Sequence, residues 1–305
     1  MGPSIEVPQN TSVNVAGIDV GLTLVDRTSG VCRTGDGGEV VAHTYIDRLS
    51  RTQALGDEHS FQVLAIDAPV LPMHELHYRP RACEKVFVWG AFQKRCKCGE
   101  SQVPGTGQAL RRAGVDTAHA FVTDVAKGEC ARPFPRVFGE HNIVEAFPNA
   151  FIGVTLAETK FESTPGRGDK FDWLYDAWIE SKVPNRLKAV LDWDRETFWR
   201  AVNDNGHHDE RAALVCAITA LCVLRGMYVA VGEASGGYFF LPPWQMWADW
   251  ARDALNRNRV DRRLQGGVDI WLDGTRYTPE DDLPPRVTDG PTQSTREPAA
   301  ESWPE

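Results

Sequence analysis

Val15-Ala16-Gly17-Ile18-Asp19-Val20-Gly21-Leu22 decides how the rest of the chain is read. An apolar run reaches a single carboxylate, Gly21 permits a tight reversal, and a second β-rich run leaves over residues 22–25. An aspartate buried at a strand tip is costly unless a cation or hydrogen-bond donors satisfy it. The design recurs in Val63-Leu64-Ala65-Ile66-Asp67-Ala68-Pro69. Two buried strands, each delivering an aspartate at its C-terminal end, predict one shared site at the edge of a sheet.

Outward from these strands, residues 39–46 read as a third early strand, and residues 47–60 as a short, partly helical link. Residues 73–138 form a less regular insertion, with helix-compatible stretches at 82–92 and 108–113. A strand over 142–146 ends on a third acidic position, Glu145. Trp and Leu at three-to-four spacing predict helix across 169–203, and the clearest helix covers 209–225. Short strands at 228–231 and 238–241 and an amphipathic helix at 244–256 follow. The expectation is an α/β fold: a mixed sheet, antiparallel at its start and then parallel, flanked by helices. One domain covers 13–257, after a flexible arm at 1–12. Residues 258–305 form a C-terminal extension, disordered from about 278 on its Pro, acidic and polar content.

The 305 residues suffice for one large domain or two small ones, and 42% hydrophobic with 25% charged residues is an ordinary globular balance. No stretch approaches the ~20 apolar residues that cross a bilayer, and residues 1–13 lack a secretory pattern. Seven cysteines, an odd number with no small-domain framework, predict reduced thiols and a cytoplasmic setting. A formal charge of −9 argues against nonspecific coating of nucleic acid, which depends on neutralising phosphates. It leaves a nuclease open.

Four acidic residues fall at element ends: Asp19, Asp67, Glu145 and Asp209. Hard cations such as Mg²⁺ or Mn²⁺ take carboxylate oxygens, waters and substrate phosphate. Two such ions about 3.5–4 Å apart activate a water and stabilise the leaving oxygen in phosphodiester hydrolysis. Each residue also has a plainer reading. Asp19 could shape a turn, Asp67 could end a strand, Glu145 could pair with Arg132 or Arg136, and Asp209 could cap a helix.

An ordered set of segments carries a resemblance. Gly17-Ile18-Asp19-Val20-Gly21, Ala65-Ile66-Asp67-Ala68-Pro69, Arg81-Ala82-Cys83-Glu84, Glu145-Ala146-Phe147-Pro148, and His208-Asp209 ahead of Ala213-Leu214-Val215-Cys216-Ala217 together resemble the predicted RNase H-like nucleases, a family catalogued as a domain of unknown function. The resemblance spans roughly residues 13–242. It implies an RNase H-like fold and a metal-dependent nuclease acting on nucleic acid. In that reading Asp19, Asp67 and Asp209 hold Mg²⁺ or Mn²⁺, with Glu145 as outer ligand or base. Arg81, Glu84, Lys94, Arg111 and His208 are candidate substrate contacts, and the insertion sets selectivity. One departure stands out: Ala212 occupies the position, three after Asp209, where a second Asp often lies.

Other patterns are thinner. His74-Glu75-Leu76-His77 misses zinc-protease spacing by one residue. Cys96-Lys97-Cys98 with Cys83 and Cys130 lacks a second Cys pair for zinc. Pro104-Gly105-Thr106-Gly107, beside Arg111 and Arg112, lacks the Gly-Lys-Ser/Thr ending of a phosphate loop. Lys94, Arg95 and Lys97 with Trp89 and Phe92 could meet nucleic acid by charge and stacking. Two alternatives to the nuclease are a sugar-kinase or actin-like nucleotide enzyme, which shares the opening hairpin, and a noncatalytic nucleic-acid-binding or scaffold protein with a degenerate site.

Overall fold

A computed structural model describes residues 13–21, 28–35, 39–46, 48–54, 61–71, 80–96, 98–121, 142–163, 170–261, 264 and 268–285. Its centre is the pair predicted from sequence. Strand β1 (Val15–Asp19) and strand β4 (Val63–Ile66) lie parallel, with Val15 opposite Val63 and Ile18 opposite Ile66. Between them in sequence come β2 (Ser29–Thr34), β3 (Val40–Tyr45) and helix α1 (Arg48–Gln53). The antiparallel partner of β1 is β2, whereas the sequence placed the returning run at residues 22–25, which lie outside the described residues.

Helices α2 (Ala82–Phe87), α3 (Gly90–Cys96) and α4 (Thr106–Ala120) occupy the predicted insertion. One expected helix is thus two, parted where Gly90 takes a left-handed φ of 59°, and α4 runs well beyond its expected end. Strand β5 (Asn142–Ala146) and helix α5 (Pro148–Gly153) follow. The Trp-rich region resolves into α6 (Lys170–Glu180), α7 (Val183–Leu191) and α8 (Glu196–Asp204), and the long apolar helix is α9 (His208–Leu224). The chain then gives β6 (Val229–Glu233), β7 (Gly237–Leu241), α10 (Asp249–Arg259), β8 (Asp269–Leu272) and β9 (Thr275–Tyr277).

The strands form one mixed sheet of nine, in the order β3-β2-β1-β4-β5-β7-β6-β8-β9. Strands β4, β5 and β7 continue parallel from β1, while β6, β8 and β9 return antiparallel. Residues 269–277, assigned from sequence to a C-terminal extension, therefore continue the sheet. Residues beyond them also touch the body, since Arg259 donates to Thr278 O at 2.9 Å and Trp244 Nε1 to Pro284 O at 3.0 Å.

Alternation along the strands divides two cores. Val15, Cys32, Val63, Ala65, Val144 and Ala146 face α9 and the Trp-rich helices. Ala16, Ile18, Val31, Leu64, Ile66 and Ile143 face the other way, with Ala118 and Phe121 at the end of α4. Helix α9 is buried from Ala212 through Leu224. A helix apolar on all sides needs cover on all sides, and α9 has the sheet beneath it and α5 and α6 against it. No described helix is long and apolar enough to cross a membrane.

Candidate functional site

Helix α9 lies unusually near the sheet. A Cβ on Gly17 would stand 2.2 Å from Ala217 N and 2.3 Å from Ala213 O, and one on Gly30 only 1.8 Å from Asp209 O. Glycine alone leaves room for this approach. Gly30 is the cross-strand partner of Asp19, so the first turn of α9 holds Asp209 directly over the neighbour of Asp19. Asp209 is a first-turn residue, because the N-cap is His207. Asp67 follows β4, and its amide donates to Ile18 O at 2.9 Å, which seats it beside the end of β1.

Asp19 is the shared member of this group. Burial, reinforced by Asp209 and opposed by His208 and Arg51, pushes its carboxyl up to about 7. Burial first, then Asp19 and Glu145, raise Asp67 well above the usual carboxylate range. His208 is braced rather than loose: its Nδ1 lies 2.9 Å from Asp172 Oδ2, and Arg211 holds the other oxygen of Asp172 at 3.2 Å. Phe171 packs edge-on against the imidazole. Ala212 is buried in the core, so no acidic group joins Asp209 from that position.

Glu145 is placed otherwise. It pairs in register with Ile66, and neighbours in register share a face, so it points to the side opposite α9. There Arg81 takes it in a two-pronged bond, Nη1 to Oε2 at 2.6 Å and Nη2 to Oε1 at 2.7 Å. Arg81 Nε reaches Glu84 Oε1 at 2.8 Å, and Nη1 also donates to Gly236 O. Glu84 accepts the Ser101 amide, and Arg111 donates to Ser101 Oγ at 3.2 Å. Arg81, Glu84, Glu145 and Arg111 are all buried. Burial opposes the charge on Arg81, but its acidic neighbours outweigh it and hold the proton more tightly than usual. The plain reading of Glu145 as an ion-pair partner thus has Arg81 as its cation, and these candidate substrate contacts bond to one another.

The remaining candidates scatter. Lys94 is exposed on α3, Phe92 is buried in the core, and Arg95 lies 4.4 Å over the Trp250 ring and pairs with Glu158. The imagined basic-aromatic surface is thereby dispersed. Buried thiols are held neutral, with Cys96 pushed up to about 12 by burial. His74, Glu75, His77, Lys97, Cys130, Arg132 and Arg136 lie outside the described residues. An open depression of about 600 Å³, lined by Val88, Trp89, Gln93, Cys98, Gly99 and Glu100, contains none of the candidate acids.

The sequence reading missed Arg51. This buried guanidinium donates to Ser29 Oγ at 2.9 Å and Thr117 Oγ1 at 2.8 Å. Nothing in its polar, short segment marked it out.

Among the described residues, no group of three or more His, Cys, Asp or Glu side chains is arranged to hold a metal ion. The groups that act on one another pairwise, Asp19 with Asp209 and Asp19 with Asp67, are carboxylates, whose hard oxygens suit Mg²⁺ or Mn²⁺. Burial first, and then the like charges of neighbouring acids, raise the proton affinity of Asp19 and Asp67. No family model matches the chain, and searches of curated proteins and of solved structures likewise find no match.

Proposed function

We propose that the chain is a metal-dependent nuclease of RNase H-like type, hydrolysing phosphodiester bonds. The observation that carries this reading is that Asp19, at a strand end, is perturbed by Asp209 at a helix start and in turn perturbs Asp67 at the end of the parallel neighbouring strand. The antiparallel opening of the sheet followed by parallel strands supports it as well. Asp19, Asp67 and Asp209 do not form a ready-made ion site and would draw together around Mg²⁺ or Mn²⁺. Such an ion supplies a water-derived nucleophile and stabilises the leaving oxygen. His208, oriented by Asp172 and acting electrostatically on Asp19, would meet a substrate phosphate. Glu145 is assigned to the buried Arg81 pair and leaves the ligand set.

The test is Mn²⁺ titration by calorimetry on the wild type and on the Asp19→Asn, Asp67→Asn double variant, with cleavage assays on DNA, RNA and branched substrates. Binding and cleavage that vanish together in the variant support the reading. A wild type without Mn²⁺ heat refutes the shared site. A second reading, a noncatalytic nucleic-acid-binding or scaffold protein, is favoured by the burial of Ala212 and the engagement of Glu145 with Arg81. Mn²⁺ binding without cleavage of any polynucleotide would select it.

A further inference from the structure

We propose that Arg51 is a positioning residue that fixes the Asp19 end of β1 from the far face of the sheet and ties it to helix α4. The inference takes its catalytic meaning from the nuclease reading, but its geometry stands independently. Gly21, two residues past Asp19, donates its amide to Ser29 Oγ at 3.1 Å. The same oxygen accepts Arg51 Nη1 at 2.9 Å, and Nη2 reaches Thr117 Oγ1 at 2.8 Å. Thr117 Oγ1 then donates to Ala113 O at 2.7 Å, one turn back along α4. The chain of bonds runs from the turn after Asp19, through α1, into the insertion.

The register explains why this bracing comes from beneath. Gly30 faces α9 and Asp209, so its neighbour Ser29 faces the opposite side, with Val31. Asp19 is thereby held between two supports: the first turn of α9 above, and the Ser29–Arg51–Thr117 relay below. Arg51 and Thr117 are 2% and 0% exposed, so neither reaches a polymeric substrate directly. A planar guanidinium spans two hydroxyls in a fixed fork that a lysine ammonium reproduces only as a point charge. Its positive charge also acts on Asp19.

The experiment compares wild type, Arg51→Gln, Arg51→Lys and Thr117→Val by hydrogen exchange and by steady-state cleavage kinetics in Mn²⁺. Arg51→Gln is expected to expose the amides of residues 15–21 at least tenfold while those of α9 stay protected. Its kcat should fall at least tenfold with KM nearly unchanged, Arg51→Lys should recover part of both losses, and Thr117→Val should lie between. Unchanged protection at 15–21 in both Arg51→Gln and Thr117→Val overturns the proposal. So does loss spread equally over α9 in Thr117→Val, which marks general destabilisation. A wild type that cleaves nothing defeats the nuclease reading, and the exchange comparison then decides the positioning role alone.

Discussion

Replacing Asp19 by Asn should stabilise the metal-free protein at alkaline pH. A carboxyl held near 7 instead of its ordinary 3.8 carries an ionisation penalty of up to about 4 kcal/mol, at about 1.36 kcal/mol for each tenfold change in proton affinity. Solvent at the half-buried side chain and its coupling to Asp67 reduce the measurable part to about 2 kcal/mol. The sign follows from proton counting. Between pH 3.8 and about 7 the folded state keeps a proton that the unfolded state has released, so unfolding free energy falls as pH rises. The contribution is fully present below the unfolded value and lost through the folded one. Urea unfolding in chelator, from pH 4 to 8.5, should therefore give a descending wild-type curve and a flatter Asp19→Asn curve. The two should meet near pH 4 and separate by about 2 kcal/mol above pH 7.5. Mn²⁺ should restore wild-type stability at high pH and leave the variant unchanged, because only the wild type keeps the ligand. An Asn variant less stable than wild type at pH 8, or one with the same pH slope, would refute the argument.

Other outcomes follow from the same geometry. Arg81→Met leaves Glu84 and Glu145 buried without their cation and should cost about 3–5 kcal/mol in urea unfolding, as removal of one partner of a buried pair does. Gly30→Ala drives a methyl into the backbone of Asp209; Mn²⁺ heat should disappear in calorimetry, and the thermal midpoint should drop. Trp178→Ala empties a fully buried position and should cost about 3–5 kcal/mol by denaturant titration, with Mn²⁺ affinity kept in whatever fraction remains folded.

The residues themselves explain how far the sequence could be read. Strands β1 and β4 were legible because their apolar runs stop at a carboxylate, and α9 because it is apolar for its whole length. Strand β2 was not, since Ser29, Gly30, Cys32 and Arg33 have little strand character. Gly30 is present for the approach of α9, a demand from residues far away in the chain. Glu145 resembled Asp19 and Asp67 in lying at a strand end, yet its register with Ile66 turns it to the other face. A shift of one residue exchanges the faces of a strand, and Ala146, not Glu145, occupies the side facing α9. The Arg81-Ala82-Cys83-Glu84 segment stood out only through the resemblance, and only the fold brings Gly236 and Glu145 to Arg81. Strands β8 and β9 were hidden because they are only four and three residues long, and β9, at the sheet edge, carries little apolar signal.

The seating of α9 on Gly17 and Gly30 also sets a timetable for synthesis. The opening hairpin leaves the ribosome long before residues 208–224 exist, and until then the glycine-lined side of β1 and β2 has no cover. Contacts this distant in sequence slow folding, since the intervening chain must be ordered first. At about 5–20 residues per second, the interval between the end of β2 and the end of α9 lasts on the order of ten seconds or more. During that time the half-made sheet is apolar, open on one side and unable to assemble its acidic site. The candidate acidic site and the core beneath α9 are completed in the same late step.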